Sequence, residues 1–284
     1  MIISQIIGGL GNQLFQYAAG RCLSLHHQTI LKLDVSGFDE YKLRNFDLNA
    51  FQLQYNVAEN DEIEKFSNRS FFKKVTDRIG PYSSRTFFRE KYFHFHKDFL
   101  KYPSNTYLKG YWQSEKYFLP VIEIIKNDLT FKKEYIENVS SFASEIAKQS
   151  TVSLHVRRGD YTNKAVYEMH GIVPVEFYLK AINIIKNKIP EIKILVFSDD
   201  IQWAKDHFNF SNIDFVSGEI TKTHFEDLYL MSLCKHNIIA NSSFSWWSAW
   251  LNKNPDKIVI APKNWFNKGP KDTYDLYSEG WTLI

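Results

Sequence analysis

The sequence TVSLHVRRGDY, at residues 151–161, decides how the chain folds. Its first six residues, 151–156, are rich in β-branched and apolar side chains and predict a buried strand. The strand ends on two adjacent arginines, Arg157 and Arg158, which a Gly-Asp pair follows. Strands that are buried on both faces belong to parallel sheets covered by helices. This stretch therefore predicts an α/β fold with a charged loop at the end of one strand.

The sequence after residue 150 alternates between strand-like and helix-like segments. The predicted strands are 151–156, 192–197, 213–216, 237–240 and 257–260. The predicted helices are 176–187, 201–207, 225–234 and 243–251. This alternation predicts a doubly wound α/β domain, and ligands bind such sheets at the carboxyl ends of the strands.

A second strand–helix–strand pattern opens the chain. Residues 2–7 and 30–33 predict strands, and the spacing of apolar residues over 12–25 predicts a helix. The first turn reads GGLGNQ, at residues 8–13, and half matches the dinucleotide-binding fingerprint. Leu14 occupies the third small position of that fingerprint, which argues against a nicotinamide cofactor.

The domain boundaries follow from a change in pattern. Residues 57–120 show no regular periodicity, whereas helical patterns at 115–129 and 133–148 end in a polar break. We therefore predict an N-terminal domain over 1–150, a C-terminal domain over 151–265, and a tail over 266–284. A return of that tail to the N-terminal domain is one option.

The stretch from Lys65 to Lys101 is basic and rich in aromatic residues. It contains ten Lys or Arg and three acidic residues, which give it a net charge of +7. Such a stretch can contact an anionic membrane surface or can form an ordinary solvated face, and the sequence leaves both open.

The composition excludes several classes of protein. With 35 Lys and Arg against 32 Asp and Glu, the net charge of +3 is too small for a dedicated DNA-binding protein. The two cysteines, Cys22 and Cys234, are too few for a disulfide scaffold or a Cys-based zinc site. They predict reduced thiols in a cytoplasmic protein. The sequence also predicts neither a signal peptide nor a membrane span.

Charged side chains follow the predicted strands of the C-terminal domain. Arg157 and Arg158 can bind phosphate oxygens bidentately and keep their charge. Asp199 can bind ribose hydroxyls or, like Ser198, can cap the following helix. Asp227, early in its helix, can accept both hydrogen-bond donors of one guanine edge or can simply complement the helix dipole.

The segment NSSFSWW, at residues 241–247, joins a strand to a helix. Small polar residues at a helix N-terminus expose backbone N–H groups to an anion, although a serine can also serve as a plain cap. Contacts for a base, a ribose and phosphates thus converge on one sheet edge, which predicts a nucleotide site. His155 lies within a strand, where a core role is the commoner one.

In this order and spacing, the motifs GGLGNQ, HVRRGDY, FSDD and NSSFSWW resemble the bacterial α-1,2-fucosyltransferases. The resemblance spans residues 8 to about 265. It implies a GT-B architecture of two facing Rossmann-like domains with a cleft between them. It also implies inverting transfer of L-fucose from GDP-β-L-fucose to the 2-hydroxyl of a galactose-type acceptor. The product would belong to an O-antigen or another surface glycan.

The resemblance further implies a role for individual residues. Arg157 would contact the β-phosphate, and Arg158 would assist it. The residues that would bind the donor are His155, Asp199, Asp227, Asn241, Ser242, Ser243 and Phe244. The residues that would lie in the cleft near the acceptor are Gly9, Asn12 and Asp160. No metal is expected, because the arginines would carry the leaving-group charge and the chain contains no Asp-x-Asp pair.

Several points stay open at this level. The general base could be Glu168, His170 or Asp160, or the proton could pass to the diphosphate or to water. The acceptor could be an oligosaccharide or a lipid-linked glycan, while no nucleic-acid partner is expected. A glycan-binding protein without turnover and another GDP-sugar transferase are the alternative functions.

Overall fold

The computed structural model describes residues 1–40, 44–67 and 80–284. Their contacts divide the chain into two compact units, each with its own parallel sheet. Unit 1 comprises Met1–Thr130 and Asp272–Tyr277, and unit 2 comprises Phe131–Lys271 and Ser278–Ile284.

The described strands of unit 1 pair in the order β3-β2-β1-β5-β4, and every pair is parallel. They are β1 Ile2–Gln5, β2 Leu31–Asp34, β3 Asn56–Val57, β4 Phe87–Arg89 and β5 Thr106–Lys109. The described helices of this unit are α1 Leu10–His26, α2 Gly37–Glu40, α3 Asn60–Ser67 and α4 Ile122–Asp128. The predicted opening strand–helix–strand pattern is confirmed. The strands β3, β4 and β5 were not predicted.

Helix α1 lies close against the sheet of unit 1 because Gly20 has no side chain. A Cβ atom at Gly20 would lie 2.9 Å from Ser4 Cβ and 2.9 Å from Leu31 Cδ1, which belong to β1 and β2. Most of the helix is buried as a result. The packing fixes the turn before α1 at the carboxyl end of β1.

The described strands of unit 2 pair in the order β11-β10-β9-β6-β7-β8, again all parallel. They are β6 Thr151–Val156, β7 Lys193–Ser198, β8 Ile213–Phe215, β9 His236–Ile238, β10 Val259–Ala261 and β11 Thr282–Leu283. The described helices are α5 Ser140–Lys148, α6 Lys164–His170, α7 Val175–Lys188, α8 Ile201–His207, α9 His224–Leu233 and α10 Ser243–Leu251. The predicted alternation is confirmed, while α6 and β11 were not predicted.

Alternate residues of β7 face two different apolar clusters. Ile194 and Val196 pack in a cluster that includes residues of α7. Leu195 and Phe197 pack in another cluster, with residues of α5 and α9. Because successive side chains of a strand point to opposite faces, helices cover both faces of this sheet. Unit 2 is therefore doubly wound, as the sequence predicts.

The division between the units lies earlier than the predicted boundary at residue 150. Helix α5 packs Ala143 and Ile146 in the same cluster as Leu230 and Met231 of α9, so this helix belongs to unit 2. The polar residues after α5 form a surface turn before β6 rather than a linker. The roles predicted for the two domains stay predictions.

The predicted tail, 266–284, divides between the two units. Its segment Asp272–Tyr277 belongs to unit 1, where Asp275 anchors it. The Asp275 carboxylate accepts a hydrogen bond from the Phe95 N–H at 2.9 Å, and its carbonyl accepts one from Ser114 Oγ at 2.6 Å. Ser278–Ile284 groups with unit 2 and contributes β11 to its sheet.

Three further predictions concern the whole chain. Cys22 and Cys234 are both free, as predicted, and both are buried. In the part of the chain that the structure describes, every helix is too short or too polar to cross a membrane. Residues 68–79 of the basic stretch 65–101 lie outside the described residues, so its contact with a membrane stays a prediction.

Candidate functional site

The loop after β6 places the two arginines among three carboxylates. Arg157 Nη1 lies 2.6 Å from Asp199 Oδ2, and Arg157 Nη2 lies 2.5 Å from Asp160 Oδ1. Arg158 donates its backbone N–H to Asp199 Oδ1 at 2.8 Å, and its Nε lies 3.3 Å from Asp200 Oδ2. These pairs orient both guanidinium groups at the carboxyl end of β6.

Aromatic rings support the same two guanidinium groups from their flat sides. The Arg158 guanidinium carbon lies 4.1 Å from the centre of the Trp203 ring, and that of Arg157 lies 5.3 Å from the centre of the Tyr161 ring. Cations are attracted to aromatic faces at such distances. The arginine side chains are still about one-fifth exposed, 21% and 20%, so they can meet a ligand.

Gly159 allows the arginine loop to approach β7. A Cβ atom at this position would lie 2.5 Å from Asp199 Oδ2 and 2.9 Å from Asp199 Cγ. No side chain fits there unless Asp199 moves. The sequence reasoning treated this glycine only as part of a turn and missed its role.

Gly159→Ala is therefore expected to displace Asp199 and to release Arg157 from one partner. We expect turnover to fall by about 10- to 100-fold, because a small displacement of a positioned group costs that much. Initial rates at saturating substrates would measure it. Gly37→Ala is the matched control, since its Cβ atom meets nothing closer than 3.7 Å. Full turnover in Gly159→Ala would contradict the importance of this contact.

The two acidic residues of the motif FSDD have different structural roles. Asp200 caps α8, because its Oδ1 accepts the Trp203 N–H at 3.2 Å. Asp199 pairs with Arg157 instead. The sequence reasoning offered Ser198 or Asp199 as the cap, and that assignment is wrong. Two neighbouring aspartates can both reach the first turn of a helix, so the sequence cannot choose between them.

Asp227 is half-buried at the start of α9. Its carboxylate accepts hydrogen bonds from Ser217 Oγ at 2.8 Å and from Thr221 Oγ1 at 2.5 Å. Burial raises the pKa of Asp227 to about 6, although both hydroxyl donors oppose the shift. Thr223 caps this helix together with Glu226, so Asp227 is not needed as a cap.

A chain of hydrogen bonds connects Asp227 to the end of β7. Ser217 Oγ donates to Asp227 and accepts the backbone N–H of Ser198 at 3.0 Å. Since β9, β6 and β7 are neighbours in the sheet, Asn241, Arg157 and Asp199 follow adjacent strands at one edge. The structure thus brings four predicted site residues to one edge of the unit 2 sheet: Arg157, Asp199, Asp227 and Asn241.

His155 is a fully buried residue near the end of β6. Burial lowers the pKa of His155 to about 4, against the opposing effect of the Asp199 carboxylate, so the imidazole is neutral at pH 7. Its Nδ1 atom has no hydrogen-bond partner among the described residues. The ring centre lies 5.6 Å from that of Phe244 at the start of α10. A buried polar atom without a partner calls for an explanation, and a ligand is one.

Asn241 holds together three segments of unit 2. Its Nδ2 donates to the His170 carbonyl at 2.9 Å and to the Trp265 carbonyl at 3.2 Å. Its buried Oδ1 has no partner within the described part of the chain. Ser242 is the residue before α10, but its hydroxyl makes no capping hydrogen bond to the described chain. Plain capping therefore does not explain this serine.

The rest of the NSSFSWW segment divides between surface and core. Ser243 and Phe244 are half-buried at the start of α10. Trp246 and Trp247 are fully buried, and their ring centres lie 5.0 Å apart. Both tryptophans therefore pack in the core of unit 2.

Unit 1 holds the other predicted site residues. Gly8, with φ +80°, adopts the left-handed conformation at the first turn, while Gly9 precedes α1 with an ordinary backbone. Asn12 Oδ1 accepts a hydrogen bond from Gln113 Nε2 at 2.6 Å. Asp160, which was grouped with Gly9 and Asn12, belongs to unit 2 and pairs there with Arg157.

Asp34 is the last residue of β2 and lies at the distance along the chain where dinucleotide folds place a ribose-binding acid. Here it accepts hydrogen bonds from the Tyr107 hydroxyl at 2.5 Å and from the Ser36 hydroxyl at 2.6 Å. These bonds give the buried carboxylate a structural role within unit 1.

The three candidates for a general base differ in their surroundings. Asp160 is paired with Arg157, and Glu168 Oε2 lies 3.3 Å from Lys268 Nζ. His170 stacks on Tyr161 with ring centres 5.1 Å apart, and burial lowers the pKa of this histidine. None of these contacts selects one of the three as the base.

Comparison with known proteins gives the chain its family. The model of glycosyl transferase family 11 matches residues 71–284. The alpha-1,2-colitosyltransferase of Escherichia coli is 34% identical over 295 residues, covering 100% of this chain and 99% of that protein. The O-antigen biosynthesis glycosyltransferase WbnK of Escherichia coli is 37% identical over 307 residues, covering 96% and 98%. The galactoside alpha-(1,2)-fucosyltransferase 2 of Rattus norvegicus is 24% identical over 263 residues, covering 90% and 68%.

Solved structures share the fold at low sequence identity. The fucosyltransferase NodZ from Bradyrhizobium superposes with a TM-score of 0.53 at 15% identity, covering 88% of this chain and 92% of NodZ. NodZ, an alpha-1,6-fucosyltransferase, has also been crystallised with GDP. A mutant of Arabidopsis thaliana FUT1 in complex with GDP superposes with a TM-score of 0.54 at 11% identity, covering 97% and 76%. These likenesses confirm the predicted α/β fold of the GT-B type.

Proposed function

We propose that this chain, which belongs to glycosyl transferase family 11, transfers L-fucose from GDP-β-L-fucose to the 2-hydroxyl of a galactose-type acceptor. Family membership makes it a glycosyltransferase, and the donor sugar, the linkage and the acceptor are our proposal. The observation that carries it is the pair of oriented guanidinium groups after β6. The α-1,2 linkage in the names of two relatives supports the choice of hydroxyl.

The diphosphate of the donor is assigned to Arg157 and Arg158. A guanidinium fork binds phosphate oxygens bidentately and needs no metal to neutralise the leaving group. Asp160 is the more exposed of the two acids on Arg157, at 42% against 25% for Asp199. We therefore expect the diphosphate to replace Asp160, while Asp199 keeps the guanidinium in place.

The guanine base is assigned to Asp227 and His155. Guanine offers an N1–H and an amino group on one edge, and a single carboxylate accepts both. Each oxygen of Asp227 already accepts one hydroxyl but has a second lone pair to use. The unpartnered Nδ1 of His155 and the ring of Phe244 provide a polar and a flat apolar contact nearby.

The reaction is a displacement at C1 of the donor sugar. The acceptor oxygen attacks from the side opposite GDP, the new glycosidic bond forms, and the bond from C1 to the β-phosphate oxygen breaks. The configuration at C1 inverts. Arg157 stabilises the charge that develops on the departing diphosphate, and the acceptor proton leaves to one of the bases named above or to water.

Colitose is the second candidate for the transferred sugar. The observation that favours it is the whole-chain match to an alpha-1,2-colitosyltransferase at 34% identity. Colitose is fucose without its 3-hydroxyl, so one diphosphate site serves either donor. A site that hydrogen-bonds this hydroxyl rejects the sugar that lacks it by about 10⁴-fold or more. The ratio of kcat/KM for the two GDP-sugars therefore decides between them.

Surface-glycan synthesis is the proposed setting. The name of the WbnK relative supports an O-antigen product, made from an oligosaccharide or a lipid-linked acceptor. Such an acceptor would place the protein in the cytoplasm, with peripheral contact to the membrane as an option. No nucleic acid takes part.

A coupled assay tests the proposed function. Incubation with GDP-fucose and a galactoside is expected to release GDP and to give an α-1,2-linked product, whose linkage NMR would establish. We expect the same rate in EDTA, because the arginines take the place of a metal. The absence of GDP release with both GDP-fucose and GDP-colitose, across a glycan array, would contradict the proposal. Saturable glycan binding without GDP release would indicate a binding protein instead.

A further inference from the structure

Glu90 follows β4 at the carboxyl edge of the unit 1 sheet and has no part in the reaction described so far. Its carboxylate accepts backbone hydrogen bonds from the loop that follows the neighbouring strand, β5. Oε2 accepts the Tyr111 N–H at 2.7 Å, and Oε1 accepts the Trp112 N–H at 3.1 Å. Glu90 therefore fixes the start of this loop, residues 110–113.

The loop approaches Glu90 closely at Gly110, and its Trp112 has a strained backbone conformation. A Cβ atom at Gly110 would lie 2.4 Å from Glu90 Cβ, so only glycine allows the approach. Trp112 has φ +55° while its ring is buried at 1% exposure. A bulky residue in this left-handed conformation persists only where its surroundings hold it. The Glu90 carboxylate is such a restraint.

The same loop reaches a residue proposed to lie beside the acceptor. Gln113 Nε2 donates to Asn12 Oδ1 at 2.6 Å, and Gln16 Nε2 donates to the Gly110 carbonyl at 3.1 Å. Both partners belong to α1. The position of Gln113 thus sets the orientation of the Asn12 amide.

We propose that Glu90 is a positioning residue for the acceptor: it holds the 110–113 loop, and through Gln113 it orients the amide of Asn12. A side-chain amide carries both a donor and an acceptor, which suits a sugar hydroxyl. The inference rests on the proposed function, since only that function places Asn12 beside the acceptor. It adds a residue of the unit 1 sheet that no motif in the sequence indicates.

The charge of Glu90 changes near neutral pH. Burial raises the pKa of Glu90 to about 7, although the Tyr111 and Trp112 N–H groups oppose the shift. Among the described residues, Tyr102 and Tyr117 interact electrostatically with Glu90, and burial raises the pKa of both hydroxyls, so they stay neutral. The carboxylate accepts the two N–H groups more strongly than the protonated acid. Burial outweighs these two bonds, however, so ionisation of Glu90 above pH 7 favours an arrangement in which the carboxylate is solvated, and the loop is held most firmly below pH 7.

Glu90→Gln is the test, because it keeps the shape of the side chain, cannot titrate and replaces one acceptor oxygen by an amide donor. We expect the KM for the acceptor at pH 6 to rise about tenfold, with an unchanged KM for the donor. In the wild type the acceptor KM should rise as the pH rises through 7, and in Glu90→Gln this dependence should be lost. Glu62→Gln is the matched control, since Glu62 also accepts a backbone N–H in unit 1, from Glu59 at 2.9 Å. An unchanged acceptor KM in Glu90→Gln would overturn the proposal.

Two further readouts separate this inference from the proposed function. Gln113→Ala and Glu90→Gln should be non-additive in acceptor KM if they act through one contact. In protein labelled with ¹⁵N-tryptophan, the Trp112 amide proton should titrate with a midpoint near 7 in the wild type and not in Glu90→Gln. That titration needs no turnover. A wild type that transfers no sugar would overturn only the proposed function, whereas a Trp112 amide that does not titrate would overturn the role of Glu90.

Discussion

Arg157→Ala is expected to lower kcat by about 100-fold or more, the range for removing a preorganised group that stabilises a developing charge. The guanidinium is the only part of Arg157 that reaches Asp199 and Asp160. Its loss leaves two carboxylates facing the diphosphate without a cation between them, which adds repulsion to the lost attraction. Steady-state kinetics at saturating donor and acceptor would measure the change.

Two variants control for charge and for folding. Arg157→Lys keeps the charge but loses the fork, so we expect an intermediate kcat. Arg85→Ala removes another guanidinium that stacks on a tyrosine, 4.9 Å from the Tyr82 ring centre, but in unit 1. It should leave kcat unchanged. A kcat for Arg157→Ala close to that of the wild type would refute the assigned role.

Asp227→Asn is expected to remove the preference for GDP over ADP and the part of the pH dependence of GDP binding that Asp227 contributes. The pKa of Asp227 in the free protein is about 6. Guanine donates two N–H groups, which favour the charged carboxylate, so the complex holds the charged form. Below pH 6 the carboxyl group must lose a proton before GDP binds. The Kd for GDP should therefore rise as the pH falls, by up to about tenfold per pH unit.

Calorimetry of GDP and ADP from pH 5 to pH 8 tests this prediction. The terminal phosphate of GDP also titrates near pH 6, and the comparison with Asp227→Asn removes that contribution. Asp214→Asn is the matched control, because Asp214 pairs with Lys193 on the strands β8 and β7 of the same unit. Equal GDP selectivity in the wild type and in Asp227→Asn would show that another residue recognises the base.

The alternation of unit 2 could be predicted because each strand is short, apolar and bounded by polar residues. The predicted strand 151–156 and the predicted helices 201–207 and 243–251 match the structure residue for residue. Local pattern is enough here, since a strand buried on both faces leaves little ambiguity. The α/β class followed from these segments, whereas the GT-B architecture was implied by the resemblance to the fucosyltransferases.

The strands β4 and β5 could not be predicted by the same means. They contain three and four residues, and β4 carries aromatic side chains on both faces, Phe87 and Phe88. Such a run is too short to show a period of two. The boundary after residue 130 was equally hidden, because α5 joins unit 2 through tertiary contacts of Ala143 and Ile146.

The sequence predicted where the site lies, but it did not predict which side chains pair with each other there. Parallel strands end at one edge of a sheet, so Arg157, Asp199 and Asn241 were expected together. Asp200 caps α8, and Asp199 pairs with Arg157. A shift of one residue along the chain would exchange these two roles. The contact between the Trp203 ring and the Arg158 guanidinium depends on the three-dimensional position of Arg158. In the sequence, the only indication of this contact is that Trp203 lies about one helical turn after Asp200.

A crystal structure with GDP would test the central claim most directly. We expect the diphosphate oxygens about 3 Å from the Arg157 guanidinium nitrogens, with Asp160 displaced and the guanine edge on Asp227. Density for the nucleotide at any other place in the molecule, with Arg157 still paired to both Asp160 and Asp199, would contradict the account.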